Sequence, residues 1–568
     1  MYPSIVRALA RMVRGHAHCG KVMMSAAPLL LLEVNTAKIW DWPCFLRIAA
    51  LLKAHSFNGL IIHQQTLLAD LVAPSPGCRP GDIRPLIHRR DNALLYLQKI
   101  GCYCDEQHLQ LWLQGEAVPE CSELKAKFPE FFLADTRSDD ARFTDWLFGQ
   151  AIPDLLQALP SVRGLRLSLS SSEMSDNAWT GTLHQLYQSV RRQGRQLVLR
   201  DYRDKTWPRH MLKTALDALP ADVCASIKAT ELDYRPGFAN NPNLTTLAGY
   251  RKWLEFDLWG IEYGWTLLPC YLLEEFHQRL QWIGGLDDAP PEAITLRLNW
   301  EWVPDLELTD SLNEINLFGL TRLVRDLHST PDLLAKAWLQ KQSTQPLPLP
   351  VVTQFSNLLA ASYEWSCKTP TLLGRVLQSH SQPPWNLQQA LHLLHLDTRS
   401  ANWVQAFQPL MPADDPDLGA QQFQLIELER QQTLFLAGHM QTLAQQLQAH
   451  SFLCPTLTQR IIDGTTRALW YTRVFSAVTR SIVLRIWLRK YGAQPGIQQQ
   501  LTDALLALRH LSRELDAWFA TDGQHHPYIF QTLLNPVRLL ELARSLEEEL
   551  PDGISMALTP GGVNLPRR

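Results

Sequence analysis

The stretch Gly164–Arg200, GLRLSLSSSEMSDNAWTGTLHQLYQSVRRQGRQLVLR, decides the fold. It opens with the apolar run Gly164–Leu169 and closes with another, Gln196–Arg200. Between them Leu183–Arg192 carries apolar residues at helical spacing. A strand, an amphipathic helix and a second strand form the unit from which parallel sheets are built. Working outward, short β-rich runs recur at Leu29–Val34, Gly59–His63, His108–Leu113, Cys224–Lys228, Lys252–Leu258 and Ala293–Asn299. Helical patterns at Phe45–His55, Asp145–Leu159 and His210–Leu219 lie between them. Eight such strands predict a (β/α)8 TIM barrel, with a doubly wound open sheet as the competing arrangement. No G-x-G-x-x-G or G-x-x-x-x-G-K-[ST] follows any of the runs, so a dinucleotide or P-loop site has no support.

Beyond about residue 350 no strand is predicted. Gln345–Pro350 (QPLPLP) reads as an extended connector. It is followed by Leu- and Gln-rich amphipathic stretches at Val352–Ser366, Leu387–Leu396, Gly419–His450, Leu457–Tyr491, Ile497–Phe519 and Pro536–Glu549. The expected organisation is an N-terminal segment (1–28), the barrel (29–330), a linker (331–350), an all-α C-terminal domain (351–558) and a loose tail (559–568).

With 46% hydrophobic residues, 19% charged residues and a net charge of −3, the chain of 568 residues buries large cores. It has no strong general attraction to nucleic acid. The most apolar late helix, Val474–Tyr491, carries Arg480, Arg485, Arg489 and Lys490, so no membrane span is expected. The 10 Cys include no C-x-x-C pair, which points to free thiols and a cytoplasmic, reducing location. The basic start followed by Ala26–Leu32 reads as the lead into a first strand rather than as a signal peptide, because Pro28 interrupts the run and Glu33 ends it. His63, His88 and His108 lack metal-ligand spacing, so no metal and no cofactor are expected. The 19 Trp stand out, and point to flat, partly polar stacking surfaces.

A barrel places its chemistry at the C-terminal ends of its strands. There the sequence offers Ser172-Glu173, Arg200-Asp201, Lys228 followed by Asp233, Glu255 and Asp257 followed by Glu262, and Trp300-Glu301-Trp302. Converging carboxylates suit glycoside hydrolysis, in which one protonates the leaving oxygen and another activates water. Trp faces stack on sugar rings. Each residue also has a structural reading: Arg200 and Lys228 as partners of carboxylates inside the barrel, Asp233 as a turn residue, Trp300 and Trp302 as core.

In order and spacing, these residues resemble the α-glucuronidases of glycoside hydrolase family 67, from about Pro153 to Trp338. Ser172-Glu173 is similar to the family's Ser-Glu-Gly, and Leu199-Arg200-Asp201-Tyr202 to its Trp-Arg-Ala-Phe-like element. Lys228 precedes Asp233-Tyr234-Arg235-Pro236 by the family's Lys-to-Asp spacing. Leu254-Glu255-Phe256-Asp257 and Ile261-Glu262-Tyr263-Gly264 correspond to its next two motifs, with one extra residue between them. Ile315–Leu323 is similar to its Ala-Asn-Leu-Tyr helix, and Pro331-Asp332-Leu333 also recurs.

The resemblance implies an inverting glycoside hydrolase that removes a sugar, an acidic one by analogy, from an oligosaccharide. Glu173 would be the general acid, and Asp233 and Glu262 would hold the attacking water. Arg200 and Lys228 would lie near the substrate's carboxylate, with Asp201, Glu255, Trp300 and Trp302 around them. It also implies a homodimer joined through the helical domain. Two departures stand out. Leu169 replaces the family's Lys, removing one cation, and with the barrel expected to begin near Leu29 no counterpart of the family's N-terminal β-sandwich is expected in this sequence. The alternative function is a catalytically lapsed barrel that binds carbohydrate or regulates.

Overall fold

A computed structural model gives the protein's structure. It describes residues 28–64, 67–72, 80–117, 144–168, 176–201, 211–230, 236–237, 239–259, 267–286, 290–298, 307–377, 381–396, 419–522 and 528–548. A closed barrel of eight parallel strands comes first: β1 (Leu29–Val34), β2 (Gly59–His63), β3 (Gln110–Glu116), β4 (Val162–Ser168), β5 (Gln196–Arg200), β6 (Cys224–Lys228), β7 (Lys252–Asp257) and β8 (Ala293–Arg297). The strands pair in sequence order, and β8 closes on β1 with Leu29 opposite Ala293. The expected (β/α)8 barrel with a helical region after it is therefore the observed fold, and the closing pair removes the open-sheet alternative.

Parallel strands covered on both faces read as nearly continuous apolar runs, which is why LLLLEV and GLIIH announce themselves. Their outer faces carry helices. In α1 (Trp42–Ala54) the Asp41 carboxylate accepts from the Cys44 amide at 3.1 Å and Pro43 occupies the first turn. Phe45, Ile48, Ala49 and Leu52 form its buried stripe, at helical spacing. The further helices of this unit are α2 (Leu67–Leu71), α3 (Pro80–Glu106), α4 (Ile152–Ala158), α5 (Asp176–Arg192), α6 (Met211–Asp217), α7 (Leu273–Gly284), α8 (Glu314–Leu323), α9 (Pro331–Lys341) and α10 (Leu349–Lys368). The pattern at Asp145–Leu159, expected as one helix, contains a π-helical turn at Leu147–Ala151 before α4.

Leu31, Ile61, Trp112, Val198, Cys224, Trp253 and Ala293 form a buried apolar floor inside the barrel. The Trp112 and Trp253 rings meet edge to face, 4.6 Å between centroids. Gly164 makes room for them: a Cβ there would come within 2.4 Å of both the Trp112 ring and the Gln196 carbonyl.

The chain divides into two compact units, Met1–Cys367 with Arg399–Gln408 and His439–Arg467, and Lys368–Thr398 with Pro409–Gly438 and Ala468–Arg568. The late helices are Leu387–Leu396, Ala420–Gln448, Pro455–Tyr491, Pro495–Thr521, Tyr528–Leu533 and Pro536–Glu547. Further details differ from the sequence reading: the expected linker 331–350 contains α9 (Pro331–Lys341). The expected connector Gln345–Pro350 ends early because α10 starts at Leu349, and Pro350 sits in a first turn, where its missing N–H breaks no helical bond. A two-stranded hairpin, β9 (Thr371–Leu372) and β10 (Arg375–Val376), occurs where no strand was expected. It turns on Leu373 and Gly374, both at positive φ (48° and 87°), and its two-residue strands are too short to show an alternating pattern.

The described cysteines are free thiols, Cys44, Cys104, Cys224 and Cys270 being buried. Among the described residues no helix is long and apolar enough to cross a membrane.

Candidate active site at the barrel mouth

Side chains two residues apart on a strand share a face. The position beyond each floor residue therefore also faces inward: Glu33, His63, Gln114, Arg200, Ser226, Glu255 and Thr295, joined by Arg166 from β4. Aliphatic residues usually fill this level of a barrel. Here it is a buried polar tier. Arg166, fully buried, donates through Nε to Gln114 and through Nη2 to the Glu33 carboxylate. Its Nη1 donates to Thr295 Oγ1 at 3.1 Å and lies 3.4 Å from Ser226 Oγ. Arg200 Nε lies 3.0 Å from both Glu255 oxygens and Arg200 Nη2 is 2.9 Å from Oε2, while Ser226 Oγ donates to Oε1 at 2.7 Å. His63 Nδ1 lies 2.8 Å from Glu33 Oε1.

Burial alone would raise the pKa of Glu33. The Arg166 charge and the His63 hydrogen bond outweigh it and hold Glu33 well below the carboxylate range. Glu255 behaves alike: burial pushes it up, and Arg200 and Arg166 pull it down to about 2. Both are anions at any ordinary pH.

Nearer the strand ends lie Lys228, Asp257 and Arg297. Arg297 grips Asp257 through two bonds, Nε to Oδ1 at 2.8 Å and Nη2 to Oδ2 at 2.5 Å, and its guanidinium lies 5.2 Å from the centre of the buried Trp259 ring. Lys228 is held down to about 8, first by burial and then by Arg297 and Arg200. Among the described residues, the buried inward-facing cations Arg166, Arg200, Lys228 and Arg297 outnumber the buried anions Glu33, Glu255 and Asp257, with Glu116 half-buried at the end of β3.

The segments leaving the strands are anchored from below. Asp201, at the end of β5, accepts from Asn243 Nδ2 at 2.8 Å and Asn241 Nδ2 at 3.4 Å. On α7 the buried pair Glu275–Arg279 holds the chain after β6: Gly237 donates its amide to Glu275 at 2.9 Å, and Arg279 donates to Asn240 at 2.5 Å. On α8 Asn316 donates to the carbonyls of Leu258 (3.0 Å) and Cys270 (2.7 Å), and accepts from the Leu272 amide at 2.9 Å. That asparagine belongs to the helix singled out in the sequence, and its role is to brace the chain after β7.

Searches of family models and of curated proteins find no match. Among solved structures, a family GH138 enzyme targeting pectin rhamnogalacturonan II matches over 87% of this chain with a TM-score of 0.59 and 8% identity. The chain shares its fold with a glycoside hydrolase. It spans 62% of that enzyme's length, and at 8% identity the likeness is one of fold. The spore coat polysaccharide biosynthesis protein spsE of Bacillus subtilis (TM-score 0.31, 12% identity, 58% of this chain and 73% of that one) also matches. So does a fucosyltransferase mutant of the α-L-fucosidase AlfC (TM-score 0.29, 12% identity, 53% and 96%).

Of the residues singled out in the sequence, Arg200, Lys228 and Glu255 come together inside the barrel, and Asp201 lies at the strand end beside them. Glu173, Asp233, Glu262, Trp300, Trp302 and Leu169 lie outside the described residues. Arg200 and Glu255 are each other's partners. Trp40 and Trp42, which follow β1, meet α3. Trp40 packs on Tyr96 (5.6 Å), and Trp42 packs on Tyr96 and Tyr103, with Lys99 Nζ 3.7 Å from its ring centre. Sequence reasoning missed Glu33, Arg166 and Arg297 because it looked for residues after the strands. The signal was a charge inside an apolar strand, as in LLLLEV and VRGLRLS. Buried charges must be paired, so each such residue names a partner across the barrel.

Proposed function

We propose that the chain is an inverting, α-glucuronidase-like glycoside hydrolase that removes an acidic sugar from an oligosaccharide at the barrel mouth. The charged upper tier of a barrel whose fold is shared with a glycoside hydrolase carries this reading. In it Glu173, in the segment leaving β4, protonates the leaving oxygen. Asp233 and Glu262, in the segments leaving β6 and β7, hold the attacking water. Inversion requires the acid and the water-holding pair to stand about 6.5–9.5 Å apart, the room the attacking water needs. Lys228 supports an acidic substrate: burial and the neighbouring cations hold its pKa at about 8, and a carboxylate brought beside it would hold the proton more firmly. Arg297, held by Asp257, adds a second cation at that level.

The test is a screen of aryl α-uronides against neutral aryl glycosides, with NMR of the first-formed anomer. The expected result is cleavage of a uronide with inversion. In Glu173→Gln the rate on a substrate with a poor leaving group should fall by about 10²–10⁴-fold. An unchanged rate removes Glu173 as acid, and a retained anomer refutes inversion. Binding of a uronide without turnover would instead make the chain a carbohydrate-binding barrel.

A further inference from the structure

His63 is the last residue of β2 and faces inward, two positions beyond the floor residue Ile61. It is the partly open member of the polar tier, its side chain 12% exposed where Glu33 beneath it is 2% exposed. Glu33 is ionised and can only accept, so the 2.8 Å contact makes His63 Nδ1 the donor. In a neutral ring Nε2 is then an acceptor. Burial, the largest influence on the ring, holds its pKa below the ordinary imidazole value despite the opposing pull of Glu33. Glu33 is itself fixed by Arg166, and Arg166 by Gln114, Ser226 and Thr295. Side chains from β1, β3, β4, β6 and β8 thus converge to orient one imidazole at the end of β2. Such a network stiffens what it holds.

We propose that His63 is a hydroxyl-accepting subsite of the barrel mouth: Glu33 takes the Nδ1 proton and leaves Nε2 to accept a hydrogen bond from one sugar hydroxyl. This rests on the reading of the mouth as a sugar site and adds a neutral contact to its ionic ones. A hydroxyl recognised this way selects strongly against a sugar lacking it, because the buried acceptor is then left unpaired.

Two measurements test it. The first is nitrogen NMR of ring-labelled histidine, with His63→Gln identifying the signal. Near neutral pH the ring should carry its proton on Nδ1 and none on Nε2. A proton on Nε2 overturns the proposal whatever the protein's activity. The second compares an aryl α-glucuronide and its monodeoxy analogues in the wild type, His63→Phe and His63→Gln. One deoxy position should lower wild-type kcat/KM by about 10- to 100-fold. The same position should matter little in His63→Phe, and His63→Gln, which keeps an acceptor, should recover part of the selectivity. If the wild type cleaves the glucuronide and His63→Phe discriminates among the analogues as the wild type does, the subsite fails and the glycosidase reading stands. If the wild type neither cleaves nor binds any of them, the sugar-site reading fails, and the subsite with it.

Discussion

Glu255, 5% exposed, is held by Arg200 on one side and Ser226 on the other, with Arg166 Nη1 3.8 Å away. Removing one member of such a pair leaves a buried charge without its partner. Arg200→Met should therefore cost about 3–5 kcal/mol by denaturant unfolding near neutral pH. A loss below about 1 kcal/mol would mean that water or a neighbour takes over. The pH dependence has a definite sign. The folded pKa of Glu255 lies near 2, below its ordinary 4.5, so its stabilisation is complete above that ordinary value and is lost as the pH falls from there towards about 2. Glu33 acts in the same direction. Acid unfolding of the wild type should fall in that window, and Glu255→Gln should flatten it. Arg200, Lys228 and Glu255 were legible in the sequence because each stands at or near a strand end. Whether they face substrate or one another was not legible, because that depends on which strands lie opposite across the barrel.

At the scale of single elements, the strands follow from apolar runs and the helices from apolar spacing and caps. Leu29–Val34, Gly59–His63, Gln196–Arg200 and Cys224–Lys228 have the bounds that the sequence predicts. Where an element departs, the cause is local chemistry that the pattern hides. Pro350 is tolerated in a first turn. The β9–β10 hairpin has strands too short to show alternation. Gly164 shows how far one strand depends on its neighbours. Ala there would place a methyl within 2.4 Å of a ring in β3 and of a carbonyl in β5. Gly164→Ala should destabilise the barrel by about 1–3 kcal/mol, read from the denaturation midpoint. An unaltered midpoint would show that Trp112 has room to move.

At the scale of the whole molecule, closing eight strands brings Arg166 of β4 to Glu33 of β1 and Thr295 of β8, and sets Lys228 among Arg200, Arg297, Glu255 and Asp257. This crowding predicts a linkage. A bound uronide should raise Tm near neutral pH, by the equivalent of about 2.7 kcal/mol at a hundredfold excess over Kd. The gain should shrink as the pH rises through about 8 and Lys228 loses its proton. A gain independent of pH across that range would place the anion elsewhere. The sequence by itself determined the barrel's strand count, the order of its strands, and the change to a helical region, because periodicity and capping are local properties. Only the tertiary structure decided that the sheet closes, that the barrel's interior is a paired ionic tier above an apolar floor, and that His63 is oriented through Glu33 and Arg166. Those partners lie far apart along the chain, and only barrel closure brings their side chains within hydrogen-bonding distance.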